Sequence, residues 1–559
     1  MNGSLPLRLV KHFSLAAFCV VWAALGLFGH DPWKPDEAYT FGLAYDIAQS
    51  GQWVVPTLAG EPFMEKPPLF VATAAFFAQM TRDILPLHDG ARLATLFYVL
   101  LTLLFIGRTG RELNGKGFAW LPALLLVGAI GMAENAHRLL VDNALLCGLA
   151  MGLYGLALAP RRPYWAGFWL GTGAGIAFMA KGLLGPGLLA LTGALLPLFP
   201  HWREWSFLRM VSVATLAALP WIGVWPLLLY ERAPQLFDEW LLTQNLGRFF
   251  GTVRLGPESD HTFYVKNIAW IGWPAFPLAL WTLWTGVRRY MGGFSRPGIQ
   301  LPLLFFVIVL SVLSFAADAR MVYALPLLLP LCVLASASID VLPRGASSAL
   351  DWFGILTFGL GAIIAWLAWS AFYAHWPPAF YEYLIRFRPA ATVLPFEWLA
   401  FSLAVFLTVV WFAVIRPSRQ TPRRSVLNWA VGMTLLWGLY STILLSVEDS
   451  GRSYRTMIVD FQKALPARYD CIASRGLGEP QRALLDYFIG VKTERVETRP
   501  NANCSLYLDQ GSRSDDSPAG PPGNWRIIWE GNRPGDNSAT NPSNSPSTTT
   551  TGRSGSDLR

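Results

Sequence analysis

The sequence predicts an all-α polytopic membrane domain of about thirteen transmembrane helices, followed by a small C-terminal soluble α/β domain. Three observations carry this reading. The 559-residue chain has a mean hydropathy of +0.37 and only 14% charged residues, too few to cover a water-soluble protein of this size. Its apolar residues recur in blocks of roughly 17–23, the length that spans the hydrocarbon core of a bilayer. Its loops alternate between short ones rich in Lys and Arg and longer ones holding most of the acid of the membrane half. The formal charge of +8 therefore reads as basic cytoplasmic loops and not as a nucleic-acid footprint. The 25 Trp and 35 Phe suit the lipid–water boundary. The five Cys form no C-x-x-C and no H-E-x-x-H occurs, which excludes the familiar zinc patterns.

The first apolar run, about 13–28, follows a short basic start with Arg8 and Lys11. No A-x-A-like cleavage site precedes Gly29-His30-Asp31-Pro32, so the run reads as a retained signal anchor with its N-terminus in the cytoplasm. Further spans centre near residues 99, 126, 148, 172, 191, 218, 275, 308, 331, 361, 405 and 436, the first being centred near 20. On that count the cytoplasmic loops hold Arg108/Arg111/Lys116, Arg161/Arg162, Arg203, Arg288/Arg289/Arg296, Arg344 and Arg416/Arg419/Arg423/Arg424. The outer segments are 30–90, 230–263, 374–395 and everything after 447. The aromatic and basic stretch from Tyr373 to Phe396 reads either as an interfacial anchor or as a gate for an incoming ligand.

Residues 1–446 are thus the membrane domain, and 447–530 an outer α/β domain with ordinary charge density. Helices are expected at about 451–465 and 479–488, and strands at 469–474, 504–508 and 525–529. Cys471 and Cys504 both fall in strand-like runs; in an oxidising compartment they are either bridged or two buried thiols. Residues 531–559 are rich in Asn, Ser, Thr, Pro and Gly and hold too few apolar side chains to offset ordering entropy, so they read as a disordered tail.

The chemistry concentrates in the outer loops. Pro35-Asp36-Glu37 opens a helical pattern over 38–50, with Phe41, Ala44, Tyr45 and Ala48 on one side, expected to lie as an interfacial helix against the bilayer. Ser50-Gly51-Gln52-Trp53-Val54-Val55-Pro56, Gly60-Glu61-Pro62-Phe63 and Glu65-Lys66-Pro67-Pro68 follow, bringing charge into a proline-stiffened apolar loop. Charges placed there are costly unless paired or functional. Asn245-Leu246-Gly247-Arg248-Phe249 and His261 occupy the second outer loop.

In order and spacing over about 450 residues, these motifs resemble the ArnT/PMT-type membrane glycosyltransferases of the GT-C fold. The resemblance implies an inverting transfer of sugar from a polyprenyl-phosphate donor to lipid A or another envelope lipid or glycan. It also implies the inner membrane of a bacterium, with the C-terminal domain periplasmic. Such a reaction needs a carboxylate to take the acceptor's proton, cations to absorb charge on the departing phosphate, and a water-poor pocket. Asp36 matches the first carboxylate of the family's D-E pair and is the expected base, with Glu37 in reserve. Asp142, in His137-Arg138-Leu139-Leu140-Val141-Asp142-Asn143, matches a second acidic motif and is expected to orient the acceptor or the base; the plainer alternative is a helix-end carboxylate paired with Arg138.

Lys66 leads the candidates for the phosphate, followed by Arg248, Lys181 and Arg320. Lys181, in Ala180-Lys181-Gly182, is nearly as well explained as a snorkelling lysine. Arg320 follows Ala319 where the family often has a Lys-Arg pair. The resemblance further implies a divalent metal ion on Glu65 and His261; a hydrogen-bonded pair joining two outer loops is the alternative. One departure stands out. The family pattern D-E-x-R-Y reads Asp36-Glu37-Ala38-Tyr39-Thr40 here, so Tyr39 takes the arginine's place, and a tyrosine cannot neutralise phosphate. That points to a different donor or acceptor preference. A transporter, a non-catalytic polyprenyl-lipid-binding protein and an O-antigen-ligase-like transferase are the rival readings. Charges crowded at loops and span ends, with no internal repeat, count against the first.

Overall fold

The computed structural model describes residues 5–252, 260–317, 319–387, 396–416, 421–500, 503–510 and 525–530. The expected 531–559 tail lies outside them. The chain runs through α1 (Leu5–Ala24), α2 (Asp36–Ser50), α3 (Leu69–Thr81), α4 (Leu87–Asn114), α5 (Leu121–Val127), α6 (Ile130–Asn135), α7 (Asp142–Leu158), α8 (Pro163–Lys181), α9 (Leu184–Leu195) and α10 (Trp205–Arg232). After α11 (Pro234–Asp238) comes a π-helical stretch, Glu239–Gly247, which leads into α12 (Arg248–Phe250). Then follow α13 (Phe263–Ile271), α14 (Ala275–Val287), α15 (Pro297–Phe315), α16 (Leu325–Ser336), α17 (Arg344–Ala374), α18 (Pro378–Phe387), α19 (Trp398–Ile415) and α20 (Pro422–Tyr440). Prolines open α8, α15 and α20, where the missing N–H has no helical partner to lose. Each centre expected from the sequence falls inside a different one of these helices.

Among the described residues five helices, α4, α10, α15, α17 and α19, are long and apolar enough to cross a membrane; α20 with its bent continuation makes up to six. Shorter apolar helices such as α7, α14 and α9 lie among them. Helices α4, α7, α8 and α10 pack in sequence along seams rich in Gly and Ala, which let the backbones approach closely. A second apolar cluster, built on Trp411, Trp429 and Trp437, joins α17, α19 and α20.

The outer helix α2 departs from expectation. It does not lie on a bilayer: Ala38, Phe41, Gly42, Leu43, Ala44 and Ile47 are all buried. One side packs on α3 and α4, and the other on a helix from the far end of the chain. Beyond α2, β1 (Thr57–Leu58) and β2 (Glu61–Pro62) form a small antiparallel hairpin that turns at Ala59 and Gly60.

The C-terminal part begins with α21 (Leu445–Arg452), bent by 63° from α20, and continues with α22 (Arg455–Ala464). The single helix expected over 451–465 is thus cut at Ser453, because the Arg452 carbonyl turns aside to accept from the Lys34 N–H at 3.2 Å. Next come β3 (Ile472–Arg475), α23 (Glu479–Ile489), β4 (Thr493–Arg495), β5 (Leu506–Gln510) and β6 (Trp525–Glu530). The sheet order is β4-β3-β5-β6, with β3 parallel to β4 and β5, and β6 antiparallel to β5. Strand β4 was absent from the sequence expectation. A disulfide joins Cys471 to Cys504.

Candidate active site

A cavity of about 500 Å³ lies between the start of α7, the end of α8, the π-helical stretch and α15. Most of its wall is Leu145, Leu184, Leu188, Val312, Leu313 and similar side chains. Its polar end gathers Lys66, Lys181 and Arg248 with Glu65 and Asp142, three cations against two carboxylates. The α-helix ends and the loop deliver these groups. Asp142 opens α7, Lys181 closes α8, and Lys66 stands in the proline-rich segment before α3. Nine residues of π-helix then bring Gln244, Asn245 and Arg248 to the same wall, a rare geometry that is frequent at functional sites.

The carboxylates hold the cations in place. The Lys181 ammonium donates to Asp142 at 2.6 Å and sits 4.2 Å above the Tyr323 ring. Asp142 is therefore partnered by Lys181 and not by Arg138, which lies against Glu134 at 3.5 Å. Glu65 accepts from Arg248 at 2.8 Å, with Lys66 at 3.7 Å. Burial opposes ionisation of Glu65, but Lys66, Arg248 and Lys181 hold its pKa below the usual range. Burial likewise disfavours charge on Lys66. Its neighbours Tyr39, Glu65 and Asp142 outweigh that and raise its pKa, so the ammonium stays protonated.

Tyr39 links this cluster to α2. Its phenolic oxygen accepts from Lys66 at 2.7 Å, while the ring lies 5.2 Å beneath the ammonium. Asp36 is one helical turn earlier, on the same side. It is half-buried, and its carboxylate makes no hydrogen bond or ion pair among the described residues. Burial, together with the charges of Glu65 and Asp36, raises the pKa of Tyr39 despite the opposing pull of Lys66, so the phenol is neutral.

Glu37, the reserve base expected from the sequence, is held away from the cavity wall. It is fully buried and accepts from Arg92 Nε at 2.8 Å, the Trp33 N–H at 3.1 Å and the Leu139 N–H at 3.2 Å. Burial alone would push its pKa up. Arg92 and His30 more than reverse that and hold it at about 2. Arg92, itself buried, also grips Asp89 and the carbonyls of His30 and Asp31. This is a structural knot tying α4 to the first outer loop.

Arg320 is exposed, sits 6.0 Å from the Tyr323 ring and does not line the cavity. His261 also lies off the cavity wall; its Nδ1 bonds the Ser314 carbonyl at 2.6 Å. Glu65 and His261 thus have different partners. Among the described residues no group of three or more His, Cys, Asp or Glu comes together. Glu65 is paired with Arg248 and Lys66, and His261 with a backbone carbonyl. Residues missed from the sequence are Gln244, Asn245 and Tyr323 on the cavity wall, and Arg92. Asn245 stood inside the Asn245-Leu246-Gly247-Arg248-Phe249 segment of the second outer loop, and Tyr323 three residues after Arg320. Arg92 carried its own signal, a charge in an apolar helix.

No family model matches the chain. Among curated proteins, it is 27% identical over 366 residues to an undecaprenyl phosphate-alpha-4-amino-4-deoxy-L-arabinose arabinosyl transferase of Pseudomonas savastanoi pv. phaseolicola, covering 63% of this chain and 66% of that protein. It is 27% identical over 444 residues to the protein of the same name from Pseudomonas aeruginosa, covering 75% of this chain and 74% of that one. The chain thus spans about two thirds to three quarters of the length of these relatives. In overall fold it is similar to the crystal structure of ArnT from Cupriavidus metallidurans bound to undecaprenyl phosphate, with a TM-score of 0.66 at 17% identity over 91% of this chain and 94% of that one. The apo form of the same protein gives 0.67. At that identity the likeness speaks to fold alone. In helical architecture the chain is similar to ArnT, and in sequence it is similar to these arabinosyl transferases over most of its length.

Proposed function

We propose that the protein is an inverting glycosyltransferase that moves a sugar from a polyprenyl-phosphate donor to lipid A or another envelope lipid or glycan. The observation that carries this is the cavity itself: an apolar space of about 500 Å³ capped by Lys66, Lys181 and Arg248. A prenyl chain needs apolar walls, and its phosphate needs preorganised cations in a water-poor place. A hydroxyl or amine of the acceptor attacks the anomeric carbon from the face opposite the phosphate. The bond from carbon to the phosphate oxygen breaks, and its electron pair leaves with the phosphate. The acceptor's proton passes to Asp36. The leaving group is already a stable anion, so no strong acid is needed. Lys66, Lys181 and Arg248 gain interaction as its charge grows. Asp142 orients Lys181, and Tyr39 orients Lys66 while offering its own hydroxyl proton to the ligand.

The same reading includes a membrane arrangement. About thirteen helices cross a bacterial inner membrane, with the N-terminus cytoplasmic and an α/β domain over 447–530 in the periplasm. Loop charge supports it, as does the coincidence of every expected centre with its own helix. The test is turnover of radiolabelled polyprenyl-phosphate sugars by detergent-purified protein with an acceptor-rich membrane extract. The parent is expected to release free polyprenyl phosphate. D36N should lose about two orders of magnitude or more while still binding polyprenyl phosphate. No turnover with any donor, in folded protein, would reject the transferase reading.

A further inference from the structure

We infer that the C-terminal α/β unit completes the phosphate site: Arg482 of α23 anchors Glu61, and through it holds Glu65 and Lys66 in position. The inference rests on the cavity being the donor site. Arg482 is a positioning residue, since it touches neither the cavity nor any reacting group.

Arg482 is only 3% exposed, yet it is a full charge; its Nη2 forms an ion pair with Glu61 at 2.8 Å by proximity, without hydrogen-bond geometry. A buried guanidinium is tolerated only when paired, so where Arg482 lies, Glu61 must follow. Arg495 reaches the same carboxylate at 3.4 Å, and the Thr498 hydroxyl donates to it at 3.2 Å. Three side chains of the C-terminal unit thus converge on one acid of the first outer loop. That acid stands four residues before Glu65 and five before Lys66.

The intervening chain transmits the constraint. Pro62 pairs with Thr57 in the hairpin, and the Phe63 N–H donates to the Pro56 carbonyl at 2.8 Å. Met64 is buried against Phe178, Met179 and Trp225, and Pro67-Pro68 fix the exit. With no slack residue between them, a shift of Glu61 becomes a shift of Lys66. An apolar joint backs the polar one. Leu58 of the hairpin, Gly42 of α2 and Ala483 beside Arg482 meet so closely that a Cβ added at Gly42 would stand 2.5 Å from the Ala483 Cβ. The C-terminal unit therefore presses on both parts that bear the site: the hairpin leading to Lys66, and the helix that begins with Asp36.

The experiment titrates the full-length protein with polyprenyl phosphate, beside R482Q, R482K, E61Q, K66Q and the double variant R482Q/K66Q, each checked for folding by size exclusion and thermal melting. R482Q and E61Q are expected to bind about tenfold more weakly. R482K should recover part of the loss, and R482Q/K66Q should be no weaker than K66Q alone, as two changes acting on one contact are non-additive. Parent-level affinity in folded R482Q or E61Q, with K66Q weakened, overturns the inference and leaves the donor site standing. Parent-level affinity in K66Q removes the donor site, and the inference with it. If R482Q and E61Q fail to fold, R495Q and T498A strip the outer contacts and leave the buried pair intact. About two- to threefold weaker binding at unchanged melting temperature then supports the inference, and parent-level binding in both overturns it.

Discussion

At the scale of single residues, the substitution of tyrosine where relatives of this family are expected to carry arginine has a physical reason in Lys66. A phenol can accept from an ammonium 2.7 Å away; a guanidinium could only repel it. Y39F should therefore raise the donor KM about three- to tenfold, the worth of one hydrogen bond to a charged group, with little change in kcat. Y39R should do worse than Y39F, because it sets a second cation against Lys66. Steady-state kinetics with varied donor separate the two. Asp449 supports a prediction about pH. Burial and the nearby Asp31 push its carboxyl up to about 6, against the help of hydrogen bonds from the Trp33 indole and the Asp31 N–H. A raised carboxyl pKa favours the folded state below the unfolded value near 4 and costs stability as pH rises through 6. D449N keeps an acceptor for both donors and loses the charge. It should be more stable than the parent by about 1–2 kcal/mol at pH 8, and equal to it below pH 4, in melting curves across pH. Glu37 has the opposite sign. Held near 2, it adds stability above its unfolded value that disappears as pH falls through 2. E37Q should cost about 2–3 kcal/mol at neutral pH by removing one of the two carboxylates that pair with buried Arg92, which keeps Asp89 at 2.7 Å.

At the scale of elements, the site depends on how helix ends meet. Gly182 follows Lys181 with φ of +63°, and a Cβ there would lie 1.8 Å from Asn245 Oδ1. The close approach seats the π-helical stretch against the end of α8 and brings Arg248 beside Glu65. G182A combines a disfavoured backbone with a direct clash, together worth about 1–3 kcal/mol. It should displace Asn245, weaken polyprenyl phosphate binding about tenfold or more, and leave the distant C-terminal disulfide intact. Unchanged binding in this variant would mean that the π-helical wall does not bear on the ligand.

For the whole molecule, the proposed topology predicts that a reporter fused after residue 530 is active in the periplasm. It also predicts that Cys471 and Cys504 react with an impermeant maleimide only after reduction. Much of this architecture was legible in the chain because its causes are local. Apolar length marks helices, and each expected centre falls inside one. Lys66, Lys181, Arg248 and Asp142 were likewise legible as charges too costly to sit idle among apolar residues. Other decisions belong to tertiary structure. Only packing tells that Glu37 is spent on Arg92 while Asp36, one residue away, is not, because both are acids in the first turn of one helix. Only packing pairs Asp142 with Lys181, 39 residues on, and gives Glu65 to Arg248, 183 residues on, leaving His261 to a carbonyl. And α2, whose pattern suited a membrane surface, is buried because α23 comes back across more than 400 residues to cover it. The sequence by itself determined which residues bear charge in apolar surroundings and where apolar helices form, since those costs are local. The three-dimensional fold alone decided which charge meets which, since that depends on distances no local pattern encodes.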